Sequence, residues 1–122
     1  NELWRAIGYR APLKAARVVN YYAGHSKKEI IPLIFPVLFS SFSRVLIYHS
    51  LKDKSDQNVI AMLKTYPGYV RDFKAAAAIY NVGACMNIIS LIRSYDLKAK
   101  GFGDSGSDAG DLLRELVFKI MH

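Results

Sequence analysis

Apolar residues recur at helical spacing along almost the whole chain, and this periodicity restricts the fold more than any other feature of the sequence. No alternating apolar–polar run of strand length occurs, and no internal repeat has the period of a solenoid. The sequence therefore predicts an all-α fold, a compact bundle of about six or seven helices that forms a single domain over residues 1–122. One predicted core-facing stripe, in the segment 10–24, consists of Leu13, Ala16, Val19 and Tyr22.

Glycine, proline and capping residues indicate where the helices begin and end. Asn81 stands where an N-cap is expected. The start of the third helix is ambiguous, because Ser26 and Glu29 have capping-box spacing while Pro32 favours a later start. The predicted helices span approximately residues 2–7, 10–24, 55–63, 67–80 and 82–100. The third helix begins at 26 or 32 and ends at 51, and the last one runs from a cap at Ser107 or Asp108 to residue 122. The last of them carries the apolar stripe Leu113, Leu116, Val117 and Ile120.

The net charge is +7, from 17 basic and 10 acidic residues, which favours contact with an anionic partner such as DNA, RNA or a membrane surface. The basic residues are spread out, so a solvated surface explains the excess equally well. The most apolar segment, residues 30–39, contains two prolines and is shorter than the about 20 residues that a bilayer-spanning helix needs. We therefore expect a buried core helix there and no membrane partner.

The residue types that commonly act in catalysis or bind metals form no recognisable site in this sequence. Cys85 is the lone cysteine, which excludes an intramolecular disulfide, fits a reducing cytoplasmic compartment and is typical of a small core residue. His25, His49 and His122 are far apart, and none has a ligand spacing suited to zinc. No serine lies in the context of an activated nucleophile. We expect no metal, no cofactor and no catalytic residue, and hence no enzyme.

The segment Gly101–Gly106 spells GxGxxG, the pattern of a phosphate-binding loop. A dinucleotide loop needs a strand before it and a helix that begins within it. Here a predicted helix precedes the glycines and no Walker lysine follows them. We interpret the segment as a joint between helices, in which Phe102 is either tucked onto the bundle or displayed to solvent.

The segment 55–80 reads as a short helix, a tight turn and a second helix, as in DNA-binding helix-turn-helix motifs. The second helix offers Arg71, Asp72 and Lys74, and then four alanines. A carboxylate repels phosphate, and an alanine run suits helix packing better than base reading. A structural hairpin is the favoured interpretation, and a free-standing nucleic-acid-binding domain is kept as the alternative.

Three stretches of the chain together resemble a known family. They are "LWRAIGYRAPLKAARVVNYYA", "FSRVLIYHSLKDKSDQNVIAMLKTYPGYVRDF" and "IISLIRSYDLKAKGFGDSGSDAGDLLRELVFKIMH". In their order they resemble the C-terminal collar domain of the DNA polymerase III delta subunit, in particular its Bacteroidetes-like versions. The resemblance covers nearly the whole chain, although each stretch alone is mostly helix patterning.

The resemblance implies an assembly role in a bacterial clamp loader. Helical collar domains of five subunits pack side by side there, so the expected partners are the gamma/tau and delta-prime subunits, with primer-template DNA nearby. The sliding clamp would be contacted only through the N-terminal region of delta, which this chain lacks. Since the chain begins at Asn1, we expect a domain of a longer cytoplasmic protein that is non-catalytic within a DNA-directed DNA polymerase holoenzyme.

Two sets of residues are the candidate sites. The first is a partner interface, because 15 aromatic residues exceed what a core of this size must hide, and aromatic residues are favoured at interface centres. We expect two of its five members, Trp4, Tyr9, Tyr21, Tyr66 and Tyr69, to be exposed. The second is a candidate DNA contact formed by Lys98, Lys100 and Phe102.

Overall fold

The computed structural model describes residues 1–24, 30–103 and 108–122. These residues form seven α-helices and no strand, so the predicted all-α bundle is confirmed. The helices are α1 (Glu2–Gly8), α2 (Pro12–Gly24), α3 (Ile31–Ser50), α4 (Asp56–Leu63), α5 (Val70–Ile79), α6 (Val82–Ala99) and α7 (Ala109–Met121), with a short 3₁₀ helix, Pro67–Tyr69, directly before α5.

The core is built around α3, which packs mainly against α5 and α6. At its centre the Phe42 ring meets the rings of Trp4 and Tyr80 edge-on, with centroid distances of 5.2 and 5.3 Å. The Tyr80 hydroxyl donates a hydrogen bond of 2.8 Å to the carbonyl of Ile7. Helix α1 and the junction between α5 and α6 are therefore joined to the same core. The buried residues of α3 are Ile31, Ile34, Phe35, Leu38, Ser41, Phe42 and Val45.

Trp4 is part of this core, so among the five candidate interface aromatics it is not an exposed one. Its side chain is only 6% exposed, and its ring also lies 5.8 Å from the ring of Phe73. The N-terminal helix that carries it is short but amphipathic, and most of its residues are buried. A large aromatic side chain in such a helix gains more from burial in the bundle than from exposure.

The buried face of α2 also differs from the predicted one. Ala15, Val19 and Ala23 are buried, whereas Leu13 is 80% exposed. One part of this face is set by the close approach of α7, since a Cβ added to Gly110 would lie 2.9 Å from the Cβ of Ala23. Only a small side chain fits at such a distance, so α2 presents an alanine to α7 there.

Helix α7 agrees with its predicted stripe. Its N-cap residue is Asp108, one of the two predicted caps, and the other, Ser107, lies outside the described residues. On its outer side Glu115 and Lys119 form an ion pair of 3.5 Å. All four predicted stripe residues, Leu113, Leu116, Val117 and Ile120, are buried.

The sequence also predicted the N-cap of α6 and left two possible starts for α3. The side chain of Asn81 accepts a hydrogen bond of 2.8 Å from the backbone N–H of Ala84, which confirms the predicted cap of α6. Helix α3 begins at Ile31, with Pro32 in its first turn, where the absent N–H costs no helical hydrogen bond. The capping-box pair Ser26 and Glu29 lies outside the described residues.

Helix α3 is 20 residues long with a mean hydropathy of 1.7, so by length and composition it is a candidate to cross a membrane. The segment Pro67–Ile79 with α6 passes the same test only as a pair bent by 103°. A core helix of a bundle has the same length and composition, and one face of α3 is buried against α5 and α6. On its other side the Arg44 guanidinium donates to the carbonyl of Leu63 at 2.9 Å.

Candidate interaction surfaces

The described residues contain no group of three or more His, Cys, Asp and Glu side chains that could hold a metal ion. Cys85 is fully buried, as predicted, and burial raises the pKa of its thiol to about 11. At neutral pH this thiol therefore stays protonated and is a poor nucleophile. His49 is a half-buried boundary residue whose Nε2 lies 2.8 Å from the carbonyl oxygen of Tyr80.

The C-terminal end of α6 brings the three candidate DNA-contact residues together. After Lys100 the chain leaves the helix through Gly101, with φ of +92°, and Gly103, with φ of +76°. Glycine adopts these left-handed conformations without steric cost. Between them, the backbone N–H of Phe102 donates to the carbonyl of Leu97 at 2.9 Å. The Phe102 side chain is 65% exposed, so of the two placements left open by the sequence it has the displayed one.

The two lysines near Phe102 have intramolecular partners. The Lys98 Nζ lies 4.8 Å from the ring centroid of Tyr95. The Lys100 Nζ is 3.1 Å from Oδ2 of Asp96, one helical turn earlier. Such surface pairs contribute only about 0–1 kcal/mol, so a phosphate would compete with them at little cost.

Four of the five candidate interface aromatics are exposed, rather than the expected two: Tyr9, Tyr21, Tyr66 and Tyr69. Tyr66 is the most exposed, at 73%, and its ring centroid lies 6.3 Å from that of Tyr69. Both tyrosines line a shallow hollow together with Val37 and Arg44. Tyr66 precedes the 3₁₀ helix between α4 and α5 and Tyr69 is its last residue, so both lie at the turn of the hairpin.

The Tyr9 hydroxyl forms a hydrogen bond within the protein although the Tyr9 ring is partly exposed. Its hydroxyl donates to Oδ1 of Asp72 at 2.8 Å, and this hydrogen bond is the main reason that the pKa of Tyr9 is raised. The other oxygen of Asp72 lies 3.5 Å from Nε of Arg5. Asp72 is buried between α1 and α5, so it is not presented to a ligand as the sequence reading of the 55–80 hairpin assumed.

A groove between α2 and α7 is the surface that sequence reasoning missed. It has a volume of about 210 Å³, and one of its lining residues is the 64% exposed Phe118. The only available signal, a weak one, was that Phe118 falls outside the predicted core stripe of α7, since single exposed apolar residues are ordinary. The groove is lined by Pro12, Ala16, Val19, Asn20, Arg114, Val117, Phe118, Met121 and His122.

Comparison with known proteins gives no match: no family model, no curated protein and no solved structure is similar to this chain. The resemblance to the delta-subunit collar domain is therefore carried by the sequence stretches alone. The fold class and the exposed surfaces are the structural observations from which a function is argued.

Proposed function

We propose that this chain is an assembly module, the collar domain of the delta subunit of a bacterial replicative clamp loader. Its role would be to hold delta in the pentameric ring that loads the sliding clamp onto primer-template DNA. The order of helices in the three resembling stretches supports this role. The seven-helix bundle is the kind of domain that such a collar needs, although many unrelated proteins share an all-α architecture.

The observation that carries the proposal is the apolar surface of the bundle. Among the described residues, large hydrophobic side chains are exposed on several helices, and Phe118 of α7 lines a shallow, mainly apolar groove between α2 and α7. Single exposed apolar residues are ordinary, but a contiguous apolar groove is typical of an interaction site. Side-by-side packing of helical domains would cover such a groove.

In this role the chain would be a structural member of the ring. ATP binding and clamp opening would belong to other parts of the assembly, the latter to the N-terminal region of delta. The exposed Phe102, with Lys98 and Lys100 on the same helix end, would face DNA only if the α6 end points into the chamber under the collar.

Reconstitution tests the proposal. The chain, fused to its parental N-terminal region, is mixed with purified gamma/tau and delta-prime subunits and analysed by sedimentation velocity. A stable complex is expected with the chain present, and no complex is expected with the N-terminal region alone. Assembly that proceeds equally well without residues 1–122 would rule the proposal out.

A second candidate is a nucleic-acid-binding domain that uses the 55–80 hairpin. Two observations favour it: Arg71 is exposed while the Asp72 carboxylate is turned into the protein, and Tyr66 and Tyr69 project from the turn. Binding of the isolated chain to DNA tighter than the non-specific range of about 10⁻⁴–10⁻⁶ M, with a steep salt dependence, would support this candidate. Binding within that range would favour the assembly role.

A further inference from the structure

The hollow beside the 3₁₀ helix combines aromatic rings with positive charge. The buried rings of Trp4 and Phe73 are among its lining residues, and so are the exposed tyrosines Tyr66 and Tyr69. Its volume of about 210 Å³ is below the ~300–1,000 Å³ typical of pockets that enclose a small molecule. The hollow therefore suits one part of a larger molecule rather than a whole ligand.

The side chains of Arg44 and Lys64 bring positive charge to this hollow, and none of its described lining residues is a carboxylate. The Arg44 guanidinium is oriented by neutral groups, since it donates to the carbonyl of Leu63 and to the hydroxyl of Ser40, both at 2.9 Å. Neither bond neutralises its charge. Lys64 is exposed and forms no ion pair with any described residue. An anionic group in the hollow would therefore meet cations that no acid of the described chain already occupies.

The two tyrosine rings offer surfaces on which a flat aromatic group can stack. Their planes meet at 63°, so the rings of Tyr66 and Tyr69 do not cover each other face to face. Proteins that bind single-stranded nucleic acid combine such exposed rings, on which bases stack, with cations that hold the phosphates. In a duplex the neighbouring base pairs already cover the faces of each base, so this combination favours an unpaired strand.

We propose that this hollow binds an unpaired segment of nucleic acid, with a base stacked on Tyr66 or Tyr69 and the adjoining phosphates near Arg44 and Lys64. The net charge of +7 strengthens the attraction of a polyanion to the chain. The proposal goes beyond the collar function and does not rest on it. It also differs from the second candidate function, because it places the contact at the turn of the hairpin and needs no duplex groove.

Matched ligands test the chemistry of the hollow. Fluorescence anisotropy compares a labelled oligothymidylate of about ten nucleotides with an abasic strand of the same length and with the same oligothymidylate in a duplex. The unpaired strand should bind at least about fivefold more tightly than either, because stacking of one base contributes that much. No binding, or equal binding of the abasic strand, of the duplex or of an oligoglutamate of the same charge, would overturn the proposal.

Matched variants locate the binding, and circular dichroism verifies their fold. Tyr66→Ala should weaken binding of the oligothymidylate by at least about fivefold, whereas Tyr66→Phe, which keeps the ring, should not. Lys64→Gln should weaken binding and lower the slope of log K against log salt by about 0.7. Lys14→Gln, the same change at an exposed position of α2, should change neither. Equal effects within either pair, or an affinity that falls with Phe102→Ala and not with Tyr66→Ala, would place the strand elsewhere and overturn the proposal.

Two further measurements separate this proposal from the proposed function, because Tyr66 and Tyr69 are also candidate interface residues. In the reconstituted clamp loader Tyr66→Ala should assemble like the wild-type chain. If this variant prevents assembly, the hollow is a subunit interface, so the assembly function stands and the nucleic-acid proposal fails. A dimer of the chain alone that Tyr66→Ala dissociates in sedimentation equilibrium would make a second copy the occupant and overturn the proposal as well. If the wild-type chain binds the oligothymidylate through Tyr66 but does not assemble, only the clamp-loader function fails.

Discussion

Replacing Gly110 by alanine should destabilise the bundle, because this residue sets the closest approach of α2 and α7. The added Cβ would lie 2.9 Å from the Cβ of Ala23 and 3.3 Å from Oδ2 of Asp108. The first distance is shorter than carbon atoms tolerate, and the Ala23 Cβ cannot move without moving α2, whereas the Asp108 oxygen is the end of a rotatable side chain. Overpacking of this kind costs about 1–3 kcal/mol.

The helix itself gains from the same substitution. Alanine is about 0.8–1 kcal/mol more favourable than glycine inside a helix, and less so in the first turn. The net effect of Gly110→Ala is thus a loss of up to about 2 kcal/mol in the free energy of unfolding. Gly83 provides the matched control, since it is the second residue of α6, as Gly110 is of α7, and its Cβ would meet nothing closer than 3.6 Å.

Urea denaturation followed by far-ultraviolet circular dichroism measures both variants. Gly83→Ala should be neutral or stabilising, and the difference between the two variants isolates the packing cost of about 1–3 kcal/mol. Ala23→Gly combined with Gly110→Ala should recover most of the loss, because it removes the opposing methyl group. Equal stabilities of the two single variants would refute the close contact and, with it, the geometry of the groove.

Three other measurements test separate parts of the structure. Tyr80→Phe should lower the free energy of unfolding, measured by urea denaturation, by about 1 kcal/mol and not more. The carbonyl of Ile7 loses the hydrogen bond from the tyrosine hydroxyl but keeps the one from the Arg10 N–H at 2.9 Å. The free energy of unfolding of the wild-type chain should fall relative to that of Cys85→Ala as pH rises from about 9 to about 11. The reason is that the thiol has a pKa of about 8.5 in the unfolded chain and releases its proton there first. Parallel pH profiles of the two chains would contradict this. In the complete clamp loader Phe102→Ala should weaken primer-template binding by roughly 1–3 kcal/mol if the ring stacks on a base, and an unchanged affinity would exclude that contact.

The helices were predictable because their signals are local. The cap at Asn81, the proline in the first turn of α3 and the stripe of α7 all depend on residues within a few positions of one another. Gly101 and Gly103, both with positive φ, follow the end of α6 and agree with the reading of a joint, while Asp104, Ser105 and Gly106 of the same segment lie outside the described residues. Local chemistry of this kind is largely independent of how the helices later pack.

The burial of individual side chains was less predictable because it depends on distant partners. Trp4 is covered by Phe42 and Phe73 from two other helices, and nothing near Trp4 in the sequence indicates this. The buried face of α2 was misjudged because periodicity gives more weight to Leu13 than to Ala15. At Ala23 the need for a small side chain comes from Gly110 on α7, which is distant in the chain and gives no local signal.

Helix α2 leaves a large apolar side chain outside the bundle's own core. Burial of a leucine stabilises by roughly 1.5–3 kcal/mol, yet Leu13 is 80% exposed, and on α7 Phe118 is 64% exposed where it lines the groove. The contact between the Ala23 Cβ and Gly110 fixes how α2 and α7 meet. The free energy of burying Leu13 and Phe118 would be realised only when another surface covers them.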